Sequence, residues 1–432
     1  MTVPAALEHH YRELLGLVRP WKITEIALDV IAQRVDITLE WPAERKVPCP
    51  ECGRKCGRKD HREKRTWRHL NTMQFQTFIH SRMPRAECPV HGAHTITVPW
   101  SEEQSHWTLQ FEDFAVFIMQ QVSTLQKAAN ILGISWDEAA RLRDRAVVRG
   151  LSRRSVEDIE YLGIDEKSFG RKERFITVLV DINGERVLEV APSKSSTAAK
   201  TTLAVIPEEE RPHVKAVAMD MSAAMEKACR EELPNAEIVY DKFHIEQHLS
   251  VAMGKVRASE HRILLAQGIP VFKRTRYLFL RRPERWSKKQ RAQYRDIKRE
   301  FGQTRFAQSR IGRMWAIKEA FRTFWNYVSP TWALKYFQRW YFWATHSRIE
   351  PAIKVARMIN SHLDNILTYF SHGITNAYTE NINGRIQEMK AAAKGFRNFD
   401  NYRNAILFYC GKLDMRLNMD EHFYAKLSHK KV

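Results

Sequence analysis

The 432-residue chain is predicted to fold as several domains of the mixed α+β class, and three observations support this. At roughly 150 residues per domain, the length suggests about three domains. Between residues 160 and 241, short apolar runs alternate with turn signals and helical segments, which is typical of a mixed α/β sheet domain. From about 243 to 370 the pattern is helical and basic, which predicts a helical insertion.

These patterns divide the chain into six segments. They are a lead-in of one or two strands (1–40), a cysteine–histidine module (41–105), a helical domain with a helix-turn-helix (106–155), the first part of the sheet domain (156–250), a basic helical insertion (251–372), and the last part of the sheet domain with a tail (373–432).

The composition points to a polyanionic partner. Lys and Arg number 70 against 50 Asp and Glu, which gives a formal charge of +20 and favours nucleic acid over an anionic membrane. The sequence contains no run of 18 apolar residues, so no membrane span is expected. The start of the chain lacks the features of a secretory signal. Six cysteines are too few for a disulfide scaffold, so we expect metal binding in a reducing cytoplasm.

The positive charge lies in two blocks. Residues 254–350 hold 23 Lys and Arg against 6 Asp and Glu, a net of +17. Residues 41–94 hold 12 against 5, a net of +7. Self-repulsion in such blocks opposes compaction unless a polyanion relieves it, which predicts that both blocks contact DNA.

The lead-in stretch of residues 23–41 alternates as strands do. The module after it carries two ligand pairs at zinc-knuckle spacing, Cys49 with Cys52 and Cys88 with His91. Zinc takes four such ligands in a tetrahedron, and a hairpin can fill the 35 residues between the pairs. Cys56, His61 and His94 are alternative ligands. Exposed phosphate contacts are expected from the neighbouring cations Arg54, Lys55, Arg58 and Lys59.

Residues 125–142 fit a helix-turn-helix. Gly133 stands at the turn, where a positive φ is wanted, and Ser135 with Glu138 can form a capping box for the second helix. The alternative is an ordinary helical hairpin. If the second helix reads DNA, its contacts are expected to be Arg141, Arg143 and Arg145.

In the sheet domain, Asn183-Gly184 signals a hairpin between the second and third strands, and helical segments separate the later strands. Asp165 ends the first strand and Asp220 the fourth, and these strands are adjacent if later βα units add beside strand one. A helix packed nearby can bring Glu380 to the same point. Three converging carboxylates suit two hard divalent cations, Mg²⁺ or Mn²⁺, of the kind that catalyse phosphoryl transfer.

Together these motifs resemble the bacterial insertion-sequence transposases of the ISL-three (ISL3) type. The resemblance runs from about residue 45 to 415, and its most specific pieces are residues 163–166, 219–222, 240–244 and 376–383. It implies a ribonuclease-H-like catalytic domain interrupted by a helical insertion, with Asp165, Asp220 and Glu380 as a DDE triad. The segment Gly395–Phe399 also looks like the family and is expected to line a DNA channel.

Asp241, His244 and Asn383 are expected to support the triad from the surrounding shell. The alternative for Asp241 is a simple helix N-cap. Glu166 is left out of the site, because neighbouring residues of a strand point to opposite faces. Trp286, in a basic stretch, is expected to pack in the insertion core, with stacking on an unpaired base as the alternative.

The sequence thus predicts an enzyme that binds the terminal inverted repeats of an insertion sequence and performs metal-dependent strand cleavage and transfer. Its expected partners are double-stranded DNA and a second copy of the chain or a larger assembly, in a bacterial cytoplasm at the nucleoid, with no membrane partner. The rival functions are a DNA-binding regulator with an inactive domain and a structure-specific nuclease. In the insertion, DNA contacts are expected from Arg274, Arg276, Arg281, Arg282 and Arg285.

Overall fold

The computed structural model describes residues 3–170, 174–374 and 377–417, which form two compact units. The first unit comprises residues 3–154 with 413–417, and the second comprises residues 155–412. The predicted last segment therefore divides after residue 412. Gly150 makes this possible, because a side chain there would meet the Cβ of Leu413 at 2.6 Å.

The first unit holds one mixed sheet and four helices within its described residues. In chain order they are α1 (Ala5–Leu14), β1 (Lys22–Asp29), β2 (Arg34–Glu40), β3 (Val47–Pro48), β4 (Lys55–Thr72), β5 (Phe75–Cys88), β6 (Gly92–Thr95), α2 (Leu109–Gln121), α3 (Leu125–Leu132) and α4 (Trp136–Arg153).

The sheet of the first unit has the order β1-β2-β5-β4-β3, and β6 pairs with the second half of β5. The one or two strands predicted in the lead-in are two in the structure, β1 and β2, which form an antiparallel pair. The hairpin predicted between the two ligand pairs is β4–β5, and it turns at Met73, which has a φ of +55°. Alternating residues of these strands bury a core that includes Trp67 and Trp100, whose ring centroids are 5.5 Å apart.

The predicted helical pair is α3 and α4. Gly133 ends α3 with a φ of +65°, and its own N–H bonds back to the last turn. Ser135 accepts a hydrogen bond from the backbone of Glu138, whose carboxylate accepts one in return from the backbone of Ser135. The predicted turn residue and capping box are therefore confirmed.

The second unit begins with a five-stranded sheet and continues into a long helical region. In chain order its elements are β7 (Tyr161–Ser168), β8 (Phe175–Asp181), β9 (Arg186–Pro192), α5 (Ser196–Leu203), β10 (Ala216–Met219), α6 (Ala223–Glu232), β11 (Glu237–Tyr240), α7 (Lys242–Ala266), α8 (Arg276–Leu280), α9 (Lys288–Phe301), α10 (Gln303–Gln308), α11 (Arg310–Phe324), α12 (Pro330–Thr345), α13 (Glu350–Ser361), α14 (Leu363–Leu367), α15 (Tyr369–His372), α16 (Ala377–Ala392) and α17 (Phe399–Cys410).

The sheet of the second unit has the order β11-β10-β7-β8-β9. Strands β7, β8 and β9 are antiparallel, and the backbone N–H of Gly184 donates to Asp181 at 2.8 Å in the predicted hairpin turn. β10 lies parallel to β7 and β11 parallel to β10. The predicted adjacency of the first and fourth strands is therefore confirmed. Residues of β10 are buried on both faces, as parallel strands covered by helices require.

The helical region continues the core of the sheet. The predicted segment boundary at residue 250 falls inside α7, which runs unbroken from the sheet into the insertion. Side chains as far apart in the chain as Leu162 and Ile366 belong to one buried cluster. Among the helices formed by described residues, none is long and apolar enough to cross a lipid bilayer.

Candidate functional site

The first candidate site is a cluster of three thiols and one imidazole in the first unit. Two tight turns present them, and a glycine with positive φ follows each turn, +71° at Gly53 and +75° at Gly92. The four ligand atoms lie within 4.8 Å of one another. This zinc cluster consists of Cys49, Cys52, Cys88 and His91.

The spacing of the zinc cluster fits a tetrahedral zinc ion. Sγ of Cys52 lies 3.8 Å from Sγ of Cys88, and Sγ of Cys49 lies 3.8 Å from Nδ1 of His91. Zn–S bonds of about 2.3 Å and Zn–N bonds of about 2.0 Å give tetrahedral edges of roughly 3.5–3.8 Å. Backbone N–H groups of His91 and Val90 lower the pKa of Cys88 to about 6, so the metal-binding thiolate is present at neutral pH.

The three alternative ligands make other contacts. Sγ of Cys56 donates to the carbonyl of Arg54 at 3.3 Å, and the ring of His94 bonds the carbonyl of His91 at 2.7 Å. His61 lies 3.1 Å from a guanidinium nitrogen of Arg58. The structure thus brings together the four ligands predicted first.

The cations beside the zinc cluster are mostly free to meet a ligand. Arg54, Lys55 and Lys59 are exposed. Arg58 is half-buried and donates to the carbonyl of Ala43 at 2.6 Å. Three of the four predicted phosphate contacts therefore stand at the surface with their charge available.

The arginines of α4 differ from the expectation. Arg141 is exposed, but Arg143 is only 2% exposed. Position 143 shares a helix face with buried residues 139, 142 and 146, and the helical step carries the side chain inward. Arg145 forms ion pairs with Glu102 and Glu112. Arg143 and Arg145 therefore serve the interior of the first unit, and only Arg141 stays available for DNA.

The second candidate site lies where β10 and β11 end, next to the middle of β7. Asp165 was predicted to end the first strand, but pairing with β8 extends β7 to Ser168, so Asp165 lies inside it. Ile164 of β7 is the register partner of Met219 of β10, which pairs in turn with Tyr240 of β11. An aspartate follows each of these three residues, so three carboxylates stand side by side across the sheet. We call this the acid row, and its members are Asp165, Asp220 and Asp241.

Asp165 is the buried member of the acid row, 5% exposed. Its Oδ2 accepts a hydrogen bond from Nδ2 of Asn383 at 2.5 Å and lies 3.0 Å from Nζ of Lys167. Its Oδ1 accepts the backbone N–H of Glu166 at 2.7 Å. Burial raises the pKa of this carboxyl, and the charge of Asp220 adds to the rise while Lys167 opposes it.

Asp220 and Asp241 share His244. Nδ1 of His244 donates to Oδ2 of Asp241 at 3.0 Å and forms an ion pair with Oδ1 of Asp220 at 2.6 Å. The two carboxylates raise the pKa of His244 to about 10, so the imidazole is protonated at neutral pH. Asp241 occupies the N-cap position of α7, but its side chain makes no capping bond. The side chain of Asp241 accepts the hydrogen bond from His244 instead.

Glu380 approaches the acid row from α16. The residue is exposed at the surface. Partial desolvation, followed by the negative charge of Asp241, raises the pKa of its carboxyl, and the charge of Asp165 adds to this rise. Asn383 lies one turn further along α16 and holds this helix to Asp165, while Lys390 donates to the carbonyl of Ser168 at 2.7 Å. Asn376, at the start of the family-like motif, lies outside the described residues.

Glu166, which the alternation of strand faces excluded, lies beside the acid row. Its carboxylate accepts a hydrogen bond from Oγ of Ser222 at 3.3 Å. Burial raises the pKa of Glu166, and the charges of Asp165 and Asp220 contribute. The missed signal was Ser222, a hydroxyl two residues after Asp220 that reaches across to the neighbouring strand.

The donor set of the acid row fits a hard divalent cation. Carboxylate and amide oxygens predominate, as Mg²⁺ and Mn²⁺ prefer. Oδ1 of Asn383 is buried without a hydrogen-bond partner in the described part of the chain. Since buried polar atoms are normally satisfied, this oxygen is available for a metal or a metal-bound water.

The arginines predicted to hold DNA lie in one stretch of the insertion. All five are exposed. Arg282 forms an ion pair with Glu246 at 3.1 Å. We call residues 274–285, which carry these five arginines, the arginine loop. Glu246 is five residues beyond Asp241 on α7, about 7.5 Å along the helix axis. The ion pair therefore ties the arginine loop to the part of α7 next to the acid row.

Trp286 follows the arginine loop but is 8% exposed. Its Nε1 donates to the carbonyl of Leu278 at 3.0 Å, and its ring stacks on Trp315 with a centroid distance of 6.0 Å. The expected packing is confirmed, and the stacking alternative is wrong for this residue.

The segment Gly395–Phe399 has its aromatic rings turned inward. Phe396 packs on Tyr402 with centroids 4.8 Å apart, and Phe399 meets Phe169 at 6.2 Å. Arg397 between them is exposed. The segment therefore exposes the charge of Arg397 between two packed phenylalanine rings.

Two family models match the chain. The model of the ISL3 transposase DDE domain, described as a transposase, matches residues 162–406, and the zinc-finger model of the transposases of IS204, IS1001, IS1096 and IS1165 matches residues 45–91. The chain is 26% identical over 367 residues to the transposase for insertion sequence element IS1001 of Bordetella parapertussis, which covers 82% of this chain and 87% of the relative. It is 24% identical over 374 residues to the transposase for IS1557 of Mycobacterium tuberculosis, covering 81% of this chain and 82% of that protein.

Proposed function

The chain belongs to the ISL3 family of transposases, and from this premise we propose that it cuts and joins DNA at the terminal inverted repeats of an insertion sequence. The observation that carries the proposal is the acid row, where carboxylates from three strands and the nearby Glu380 of α16 present oxygen ligands at one end of a sheet. Such a site has the ligands that phosphoryl transfer requires.

The catalytic domain proposed here is ribonuclease-H-like. Three antiparallel strands followed by two parallel strands beside the first, with helices between the later strands, support this assignment. The helical region after α7 and before α16 is then the insertion that separates Asp220 from Glu380.

In the proposed mechanism, Asp165, Asp220 and Glu380 would hold two divalent ions, Mg²⁺ or Mn²⁺, which would supply activation of the attacking hydroxyl and neutralisation of charge on the leaving oxygen. Asn383 and Lys167 fix the orientation of the Asp165 carboxylate through the contacts at its Oδ2.

His244 and Asp241 support Asp220 in this proposal. The proton held at Nδ1 of His244 lies between the two carboxylates and reduces their mutual repulsion. Asp241 keeps the imidazole ring oriented through a hydrogen bond of 3.0 Å. Neutralising Asp241 should therefore slow cleavage less than neutralising Asp220.

DNA recognition is proposed for the first unit. A structural zinc ion in the zinc cluster would fix the knuckle turns and present Arg54, Lys55, Arg58 and Lys59 to phosphates. The pair α3–α4 is proposed as a helix-turn-helix with Arg141 as a DNA contact. Arg397 and the arginine loop would hold DNA in the second unit. Bringing two ends together requires a dimer or a larger assembly.

The test is cleavage of a terminal-repeat duplex with Mg²⁺ or Mn²⁺. Asp165→Asn, Asp220→Asn and Glu380→Gln are each expected to slow cleavage by at least about 10³-fold, because each removes a metal ligand worth several kcal/mol. Asp364→Asn, at an exposed acid of α14, is the matched control and should cut like wild type. Wild-type rates in the three variants would disprove the triad, and cutting without joining of 3′ ends would favour a nuclease.

A further inference from the structure

A cleft of about 1180 Å³ opens in the first unit beside the zinc cluster. Its walls are α1, the segment that joins α1 to β1, and the segment that joins β2 to β3. Lys55 also lines the cleft; it is next to Cys56 in the sequence and opposite Pro48 in the β3–β4 register. Most of this N-terminal cleft is built by residues 5–44, which lie outside both matched family regions.

The N-terminal cleft carries more positive than negative charge. Two acids, Glu8 and Glu44, line it and pair with Arg12 at 2.7 Å and Lys22 at 3.7 Å respectively. The other cations of the cleft are exposed and have no ion pair among the described residues. These unpaired cations are Arg19, Arg45, Lys46 and Lys55.

The shape and lining of the cleft favour a polyanion. Small-molecule pockets commonly measure about 300–1,000 Å³ and are mostly apolar, whereas this cleft is larger and is lined by six cations. Four unpaired cations gathered on one concave surface repel one another unless an anion with several charges lies between them. Backbone phosphates meet that requirement at regular spacing.

The aromatic residues of the cleft argue for duplex DNA over unpaired bases. Trp21 is 3% exposed and packs edge-on against Trp41 and Trp100, with centroids 5.4 Å and 4.8 Å away. Nε1 of Trp41 donates to the carbonyl of Arg45 at 3.3 Å, which orders the segment that carries two of the cations. Trp21 is buried and Trp41 is half-buried, so these rings support the walls and are not the open stacking platforms that single-strand binding uses.

We propose that the N-terminal cleft binds the phosphate backbone of duplex DNA, with Arg19, Arg45 and Lys46 as contacts beyond those of the zinc knuckle. Lys55 lies in both surfaces, so the knuckle and the cleft form one continuous basic track. The contact is independent of base sequence and positions the first unit on the duplex. This inference rests on the proposed function, because it assumes that the first unit binds the element's ends.

The experiment measures binding of the full chain, with zinc, to a terminal-repeat duplex by fluorescence anisotropy across a salt series, with EDTA-free buffer and no Mg²⁺ or Mn²⁺. Arg19→Gln, Arg45→Gln and Lys46→Gln are combined in one variant. Each lost phosphate contact lowers the slope of log affinity against log salt by about 0.9, so the slope should fall by about 2.7. An unrelated duplex of equal length should show the same fall.

The matched control removes three positive charges that already pair with acids in the second unit. Lys215→Gln, Arg230→Gln and Lys354→Gln together should leave the slope unchanged. Glu44→Gln tests the opposite sign, because loss of an acid from the cleft should tighten binding. Zinc content and the melting curve of each variant report that the first unit is folded.

An unchanged slope in the triple cleft variant overturns the inference while leaving the proposed function standing, since wild type would still bind. A wild-type protein that binds no terminal-repeat duplex overturns both. A fall in slope confined to the single-stranded form of the oligonucleotide overturns the assignment to duplex DNA.

Discussion

The zinc cluster and the acid row draw their residues from very different distances along the chain. Zinc ligands come as two pairs, each pair three residues apart, joined by one hairpin. The acid row takes its members from β7 and from the ends of β10 and β11, and Glu380, 159 intervening residues after Asp220, lies on α16 within range of the charges of Asp241 and Asp165. The first arrangement depends on local turns and on the metal, and the second depends on the sheet.

Because of this difference, we expect the two sites to respond differently when a ligand or a metal is removed. Three thiolates and an imidazole at short turns repel or stay unsatisfied without a metal between them, so metal loss is expected to cost the fold of that unit. Carboxylates set in a packed sheet keep their places without a metal, so their loss should cost chemistry and leave the fold intact.

The largest effect is expected from removal of zinc. Cys49→Ser should abolish zinc binding and the cooperative melting of the first unit, because structural zinc contributes on the order of 10 kcal/mol to small zinc domains. Metal analysis and thermal unfolding followed by tryptophan fluorescence measure both. Cys56→Ser is the control and should keep zinc; zinc loss there would add Cys56 to the ligand set.

The contrast would break if internal ion pairs, and not zinc, held the first unit together. Glu112 is 1% exposed, and its carboxylate pairs with Arg149 and lies 3.4 Å from Arg145. Glu112→Gln should lower the free energy of unfolding by about 3 kcal/mol, since it leaves buried guanidinium groups short of a partner.

Urea unfolding of the zinc-loaded protein measures this effect. Glu102→Gln, at the more exposed acid of the same ion-pair network, should cost less than about 1 kcal/mol. Equal costs for the two substitutions would mean that burial does not distinguish them.

The acid row should lose activity without losing stability when its support is removed. Asn383→Ala is expected to slow cleavage by about 10- to 100-fold, because Asp165 loses the hydrogen bond that orients it. The melting temperature should change little. Gln387→Ala, at an exposed position of the same helix, should cut at the wild-type rate, and a comparable loss there would assign the effect to α16 as a whole.

The smallest effect is a pH dependence confined to the first unit. Burial, with the charge of Arg68, lowers the pKa of His69 to about 3, and its ring bonds Thr108 at 2.9 Å. The unfolded chain takes up this proton near pH 6.5 and the folded unit does not, so stability falls as the pH drops below about 6.5. At pH 5 the loss should be about 2 kcal/mol.

Unfolding of wild type and His69→Gln at pH 7 and pH 5 isolates this contribution from protonation of the zinc ligands. The difference between the two pH values should be about 2 kcal/mol smaller in the variant than in wild type. An equal difference in both proteins would show that His69 is protonated in the folded state.

Much of the local structure was predictable because its causes are local. Gly133 with the Ser135–Glu138 capping box marks the α3–α4 turn, and the hairpin at Gly184 follows from its turn residues. The positions of Asp165 and Asp220 on neighbouring strands were predictable from the order of strands and helices alone.

Side-chain environments were harder to predict. Arg143 and Arg145 were predicted to contact DNA. Packing of α4 in the first unit instead buries Arg143 and pairs Arg145 with Glu102 and Glu112. Glu166 was excluded by strand alternation, yet Ser222, which precedes α6, reaches its carboxylate. In each case the deciding partner is far away in the chain, where periodicity carries no information.

The sequence alone determined the zinc ligand pairs, the family, the order of elements and the two basic blocks, because spacing, turn chemistry and charge are properties of neighbouring residues. Only the tertiary structure decided that Asp241 and His244 join Asp220, that the arginine loop is tied to α7, and that the lead-in shares a basic cleft with the zinc knuckle. Those juxtapositions arise when strand register and side-chain packing fix the distance between residues that the chain separates.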